Sequence, residues 1–349
     1  MVKPRRKNMK ETIILIQPKI GYLDSIKKNF TNPLALLYVA SNVYKDHDVK
    51  IFDQRLYSNW KEKLKKLLDK KPVCVGITSM TGEQLAYALE LSKYIKSHGN
   101  HKIVWGGVHP TLDPEGVLAD KNIDVVVRGE GEETFKVLVD HLKKNKSSSS
   151  VEGISYKDKS NKIIHNPDRK FIDLNKLPDL PYHLIEIDKY TGKYKGRKSL
   201  HIQLSRGCPF SCTYCYNSVF NKSCWRTLTW ENAYKLINIL YHKYKIRYFD
   251  FIDDNLFVNL NRMDKIADKI LEDKLDIIWK GTLEIPSSKK MSDEYFEKMV
   301  KAGLERLEIG VESGSNKMLK FVNKNQTIED VHKLNNKLAK FNMTPGYNF

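Results

Sequence analysis

The sequence predicts a mixed α/β chain. A doubly wound, Rossmann-like parallel sheet is expected over residues 1–145 and an incomplete (β/α) partial barrel over 196–349, with 146–195 as a linker. Five short apolar runs alternate with helical stretches before residue 145, and four more strand–helix units follow residue 196. Between them, Lys143 to Ser150 carries no apolar residue at all. A chain of 349 residues has room for about two cores. Its 41% hydrophobic and 29% charged residues are those of a globular protein. No apolar run approaches the roughly 20 residues of a membrane span. The basic start, Met1 to Lys10, is not followed by a secretory core, so a cytoplasmic chain is expected. The net charge of +18 raises the question of nucleic acid. The lysines, however, are spread over helical faces, as in Lys61 to Lys66, and no RNA-binding pattern occurs, so no such partner is expected.

The strands of the first part read at Thr12 to Gln17, Val49 to Asp53, Val73 to Thr78, Lys102 to Gly107 and Val125 to Arg128. Helices read at Leu34 to Tyr44, Trp60 to Leu68 and Gln84 to Ser97, with a shorter turn near Pro114 to Ala119. Nearly continuous Val/Ile strands separated by helices imply a parallel sheet covered on both faces. Ligands of such sheets sit at the carboxyl ends of the strands. The unusual residues gather there: Thr78-Ser79-Met80-Thr81-Gly82, then Gly106-Gly107-Val108-His109-Pro110-Thr111, then Arg128-Gly129-Glu130-Gly131-Glu132. Glycine lets the backbone turn and approach a ligand closely. No G-x-G-x-x-G follows the first strand, so a dinucleotide is not indicated. Residues 1–150 are expected to fold by themselves.

Within the linker, Gly153 to His165 reads as a hairpin turning at Asp158 to Asn161, and Asp173 to Pro181 as an extended strap. Beyond it, strands read at Leu200 to Leu204, Tyr248 to Ile252, Ile277 to Leu283 and Arg306 to Val311. Helices read at Trp230 to Lys243, Arg262 to Glu272, Asp293 to Ala302 and Ile328 to Phe341. The chemistry of a β/α barrel lies at the strands' carboxyl ends. From the first of these ends runs Cys208-Pro-Phe-Ser-Cys212-Thr-Tyr-Cys215. Three cysteines in C-x-x-x-C-x-x-C spacing suit a [4Fe–4S] cube with its fourth iron left open. Structural zinc takes four ligands, usually as two separated pairs, and no His lies between Cys208 and Cys224. A disulfide pair suits neither the odd count nor a cytosolic chain.

This loop resembles the signature of the radical S-adenosylmethionine (SAM) superfamily, with Tyr214 in its aromatic place. The first part, with its Gly-Gly-x-His-Pro-Thr and R-G-E-G-E steps, is similar to the cobalamin-binding members of that family. The resemblance implies that Cys208, Cys212 and Cys215 hold the cluster and that its open iron chelates SAM. It implies SAM contacts by Tyr214, by Glu312 and Ser313 after the fourth strand, and by Asp253 and Asp254 in a D-D-N motif after the second. It implies cobalamin contacts by Thr78, Ser79, Gly106, Gly107, His109, Thr111, Gly129, Glu130 and Gly131. The D-x-H-x-x-G motif that supplies cobalt's lower ligand in many cobalamin domains is absent from this sequence. Residues 1 to 207 hold only Cys74, so the second cluster of the radical SAM methylthiotransferases is not expected.

The activity implied is reductive SAM cleavage followed by methyl transfer to an unactivated centre, with cyclisation or rearrangement as alternatives. An electron donor of flavodoxin or ferredoxin type is implied; the substrate, a small molecule or peptide, is left open, and no catalytic side chain is assigned. The sequence ends at what reads as the start of a fifth strand, whereas the family's barrel usually has six. The chain is therefore read as a fragment, and a non-catalytic corrinoid- or cluster-binding protein is the alternative from another class.

Overall fold

The computed structural model describes residues 10–26 and 30–349, which fall into two compact units. The first comprises the residues up to Ile172 together with Lys176–Lys189, and the second Asp173–Asn175 and Tyr190–Phe349.

In the first unit the strands are β1 (Thr12–Gln17), β2 (Asp48–Asp53), β3 (Val75–Thr78), β4 (Ile103–Gly106), β5 (Val125–Val127), β6 (Ile154–Lys157) and β7 (Ile163–His165). They form one sheet in the order β2-β1-β3-β4-β5-β6-β7, the first five parallel. Alternation along each strand divides the core into two layers. Ile14, Ile16, Ile77 and Trp105 pack with Leu64 of the helix Trp60–Leu68 and Leu91 of Gln84–Ser97. Ile13, Leu15 and Val104 pack with Leu36 of Leu34–Ser41 and Leu138 of Gly131–Lys143. This last helix is missing from the sequence reading, because its start is the glycine-bearing loop itself. The strand order reverses at β1 and β3, which is where an open α/β sheet leaves a crevice at its carboxyl edge.

The hairpin expected to belong to the linker extends this sheet instead. β6 lies antiparallel on β5, and β7 on β6. The turn leading into it buries Val151, and its first strand Ile154, completely in the second core layer. Arg128 ties it down through Ser155 Oγ at 2.9 Å, the Asn166 carbonyl and Asp168 at 3.0 Å. A boundary near 145–150 therefore cuts through a core, because burial rather than polar composition decides where a unit ends.

The strands of the second unit are β8 (Gly192–Tyr194), β9 (Arg197–Ile202), β10 (Ser205–Arg206), β11 (Arg226–Thr227), β12 (Tyr248–Phe251), β13 (Ile278–Leu283), β14 (Leu304–Gly310) and β15 (Gly346–Asn348). Its main sheet runs β15-β14-β13-β12-β9-β8, parallel except for the β8–β9 hairpin, and forms a partial barrel. The helices Trp230–Tyr244, Leu260–Glu272, Asp293–Lys301 and Ile328–Ala339 cover it. Leu200, Phe249 and Trp279 stand in register and are buried, as is Leu307 on β14. The alternate positions carry polar side chains in register: His201 and Lys280 flank Asp250 at 3.0 and 3.1 Å. Asn175 of the strap accepts from the Thr229 amide at 2.7 Å, at the head of Trp230–Tyr244. No helix among the described residues is long and apolar enough to cross a membrane.

A chain cut after residue 150 is expected to lose at least about 3 kcal/mol of stability relative to one cut after 189. Two large apolar side chains lose their seats, each contributing about 1.5–3 kcal/mol. Urea denaturation of both, followed by circular dichroism, checks this; coincident midpoints would show that the hairpin is dispensable.

Candidate functional site

The loop bearing Cys208, Cys212 and Cys215 leaves β10 and returns at β11, and these two short strands pair antiparallel to close its base. Gly207 enters the loop at φ +80°, and a side chain there would overlap the carbonyl oxygen of Cys224. Glycine is required on both counts. Cys208 and Cys212 are buried and Cys215 is half-buried. Burial pushes the Cys208 thiol up to about 11 and raises that of Cys212, which Lys324 partly offsets. Among the described residues no three His, Cys, Asp or Glu side chains gather to hold one metal ion. A cube asks for something else, since each thiolate binds its own iron.

The two aspartates of the D-D-N motif hold this loop. Asp253, fully buried, accepts from the Leu204 amide at 3.1 Å and from the Ser205 hydroxyl. Burial raises its carboxyl to about 6, opposed by the Ser205 bond and the charge of Arg262. Asp254 accepts from the Gly207 amide and from the Tyr216 hydroxyl, both at 2.9 Å. Both carboxylates, expected to contact SAM, are engaged by the cluster loop itself. Asn255, absent from the sequence reading as a site residue, is buried beside Cys208 with its amide 3.9 Å from Sγ. Its side-chain oxygen finds no partner among the described residues.

Across from this pair lies the end of β14. Glu312 adopts φ +66°, a left-handed conformation that a side chain tolerates only when its surroundings impose it. Its amide donates to the Asn348 carbonyl at 2.8 Å. Its carboxylate faces Lys324 at 3.5 Å and stands near Tyr214, whose ionisation burial and that charge both oppose. Ser313 Oγ accepts from the Ser315 amide at 3.2 Å, an ordinary turn bond. Lys324 and Asn323 were not read from the sequence, since a lysine in Phe321-Val-Asn-Lys-Asn looks like one more surface charge.

In the first unit, the loops after β3, β4 and β5 are stitched into one surface. Thr111 donates to the Gly107 carbonyl at 2.7 Å and accepts from the Gly129 amide at 2.9 Å. Ser79, buried, donates its amide to Gly106 at 2.9 Å and accepts from the His109 amide at 3.3 Å. Thr81 Oγ1 lies 3.1 Å from His109 Nδ1. Gly129, at φ +67°, has open space where a Cβ would stand. Gly107, at φ +105°, does not: a Cβ would lie 2.7 Å from the Ser79 carbonyl oxygen and 3.0 Å from Thr78 Oγ1. Its glycine thus serves loop-to-loop packing. A Cβ at Gly131 would stand 3.3 Å from Val39, and Glu130 accepts from the Ile172 amide at 3.0 Å.

Comparison with known proteins gives two family matches, to the B12 binding domain over residues 27–139 and to the Radical SAM superfamily over 202–349. An uncharacterised methyltransferase of Pyrococcus horikoshii is 34% identical over 320 residues, covering 90% of this chain and 68% of that protein. The anaerobic magnesium-protoporphyrin IX monomethyl ester cyclase of a Synechocystis strain is 28% identical, covering 64% of this chain and 44% of its own length. Among solved structures, the cobalamin-dependent S-adenosylmethionine radical enzyme OxsB, with aqua-cobalamin and S-adenosylmethionine bound, superposes with a TM-score of 0.80. That match has 22% identity and covers 97% of this chain and 49% of OxsB, a likeness of fold. The chain thus spans from under half to about two thirds of the length of these proteins. With both domain matches in sequence order and a relative above 30% identity along most of its length, the chain belongs to the family that joins a B12 binding domain to a radical SAM domain.

Proposed function

We propose that this chain bears the cofactors of a cobalamin-dependent radical SAM enzyme. It would cleave SAM reductively at a [4Fe–4S] cluster and transfer a methyl group to an unactivated carbon or phosphorus centre. The observation that carries this reading is the fastening of the three-cysteine loop, closed by β10 and β11 and held by Asp253 and Asp254. When bound, the cluster and cobalamin supply the electron transfer and the methyl carriage, and the protein supplies binding and orientation.

Cys208, Cys212 and Cys215 would each hold one iron and leave the fourth open. Since burial raises the thiols of Cys208 and Cys212, coordination itself must favour the thiolates. Asp253 and Asp254 position the loop, and their effect on SAM would pass through it. Tyr214, Glu312 and Ser313 are the proposed SAM contacts. On the first unit, Thr78, Ser79, Gly106, Gly107, His109, Thr111, Gly129, Glu130 and Gly131 mark the proposed cobalamin surface. Thr111, Ser79 and Gly129 are its best-supported members, because they gather three loops at one edge of the sheet. A small flavodoxin- or ferredoxin-type protein would deliver the electron. Methyl transfer is favoured over cyclisation because the relative named a methyltransferase is the more identical and matches more of the chain.

Anaerobic reconstitution is expected to give about four iron and four sulfide per chain. Cys208→Ala, Cys212→Ala and Cys215→Ala should each abolish this, and Gly207→Val should reduce it by disturbing the Cys224 carbonyl. Cys74→Ala and Cys224→Ala should retain it, since Cys74 lies sealed in the first core and Cys224 at the surface. With dithionite and SAM the loaded protein should release 5′-deoxyadenosine; a full cluster without that release would leave a binding protein only.

Hydroxocobalamin should bind to the full chain, followed by its visible spectrum, and spin resonance of its reduced cobalt should show no imidazole ligand. Gly106→Ala should leave affinity within about twofold, because a Cβ there meets only ordinary contacts of 3.7 Å or more. Gly107→Val should weaken it at least about tenfold by displacing Ser79. Equal affinity in both variants would remove these loops from the cobalamin surface.

A further inference from the structure

Lys324 is 4% exposed in its side chain, an unusual burial for a lysine, and it sits between two carboxylates, Glu284 at 2.9 Å and Glu312 at 3.5 Å. The chain goes to some length to place it. Asn323 and Asn325, on either side, both take left-handed backbone conformations, at φ +55° and +42°. Gly310 leaves room for it, since a Cβ there would stand 2.8 Å from Nζ. Gln326 anchors the segment by donating to the Gly310 and Val311 carbonyls, both at 3.1 Å.

The same segment is tied to the cluster loop on both sides of Cys212. The Thr213 amide donates to the Val322 carbonyl at 3.1 Å, and Asn323 donates to Ser211 at 3.0 Å. The buried cation is thereby fixed next to the middle cysteine, along with two acidic groups. We infer that Lys324 is a charge-compensating residue that sets how readily the cluster accepts its electron, with Glu284 as its opposing partner. This rests on the proposed cluster.

With three thiolates, an oxidised cube carries net charge −1 and its one-electron-reduced form −2; the electron comes from the reductant and no proton is taken up. A fixed positive charge favours the reduced form, and a fixed negative charge disfavours it. The effect is on the order of tenfold in the reduction equilibrium for one charge about 10 Å away in a half-buried site. Glu284 and Glu312 alone would oppose reduction, and Lys324 offsets them.

The test is a dithionite titration of the reconstituted full chain with redox mediators, read by the spin-resonance signal of the reduced cluster, with iron counted in every sample. Lys324→Met should shift reduction to lower potential, so that the reduced-to-oxidised ratio at a fixed potential falls about tenfold. Lys324→Arg should restore it to within about threefold, and Glu284→Gln should move it the other way. Opposite shifts in the Met and Gln variants identify a charge effect, which a merely structural disturbance would not reproduce. An unmoved potential in fully loaded Lys324→Met, or shifts of the same sign in both, overturns the inference and leaves the cluster assignment standing. If Lys324→Met loads no iron, Glu284→Gln decides: an upward shift supports the inference and an unmoved potential overturns it. Failure of the unaltered chain to take up iron instead ends the cluster reading, and the inference with it.

Discussion

A carboxylate sealed from water must be satisfied by the protein around it, and Asp253 is that group here. It receives the Leu204 amide and the Ser205 hydroxyl while Arg262 lends its charge, and Arg262 itself donates to the Leu204 and Leu228 carbonyls at 3.0 and 2.8 Å. One buried aspartate thus joins the end of β12, the chain leaving β9 and the chain that follows β11. Remove it and the Leu204 amide is left buried without a partner, at the point where the cysteine loop begins. Asp254 repeats the device one residue on, with Gly207 and Tyr216. Two carboxylates that never touch the thiols thus help to set where the loop that bears them begins and ends.

Much of this was legible in the sequence. The β1 to β5 runs read as a parallel sheet because Val and Ile dominate them and both faces of the sheet are covered. The strands of the partial barrel read nearly as well, with the first beginning three residues earlier than expected, at Arg197. What failed to read depends on partners far along the chain. The Gly153–His165 hairpin was recognised as a hairpin, but its membership in the first sheet rests on pairing with β5, which no local pattern reports. The D-D-N motif was recognised as functional, while the job of its aspartates comes from contacts across nearly fifty positions.

The same reason hides Lys324. Sequence reading assigns a lysine to the surface unless something nearby argues otherwise, and here the argument comes from Glu284 and Ser211. Gly107 depends on a neighbour in the same way. Its φ of +105° suits the Gly-Gly pair, and the atoms that exclude a Cβ there belong to Ser79 and Thr78 in the neighbouring loop.

The ribbon formed by β10 and β11 bears on how iron content is to be read. Closing a loop removes chain entropy, an amount that depends weakly on loop length, and here backbone pairing and two carboxylates contribute toward offsetting it. A substitution at Asp253 or Asp254 would loosen the frame of the loop while leaving every thiol in place. Iron lost in such a variant would report the frame and not the ligands.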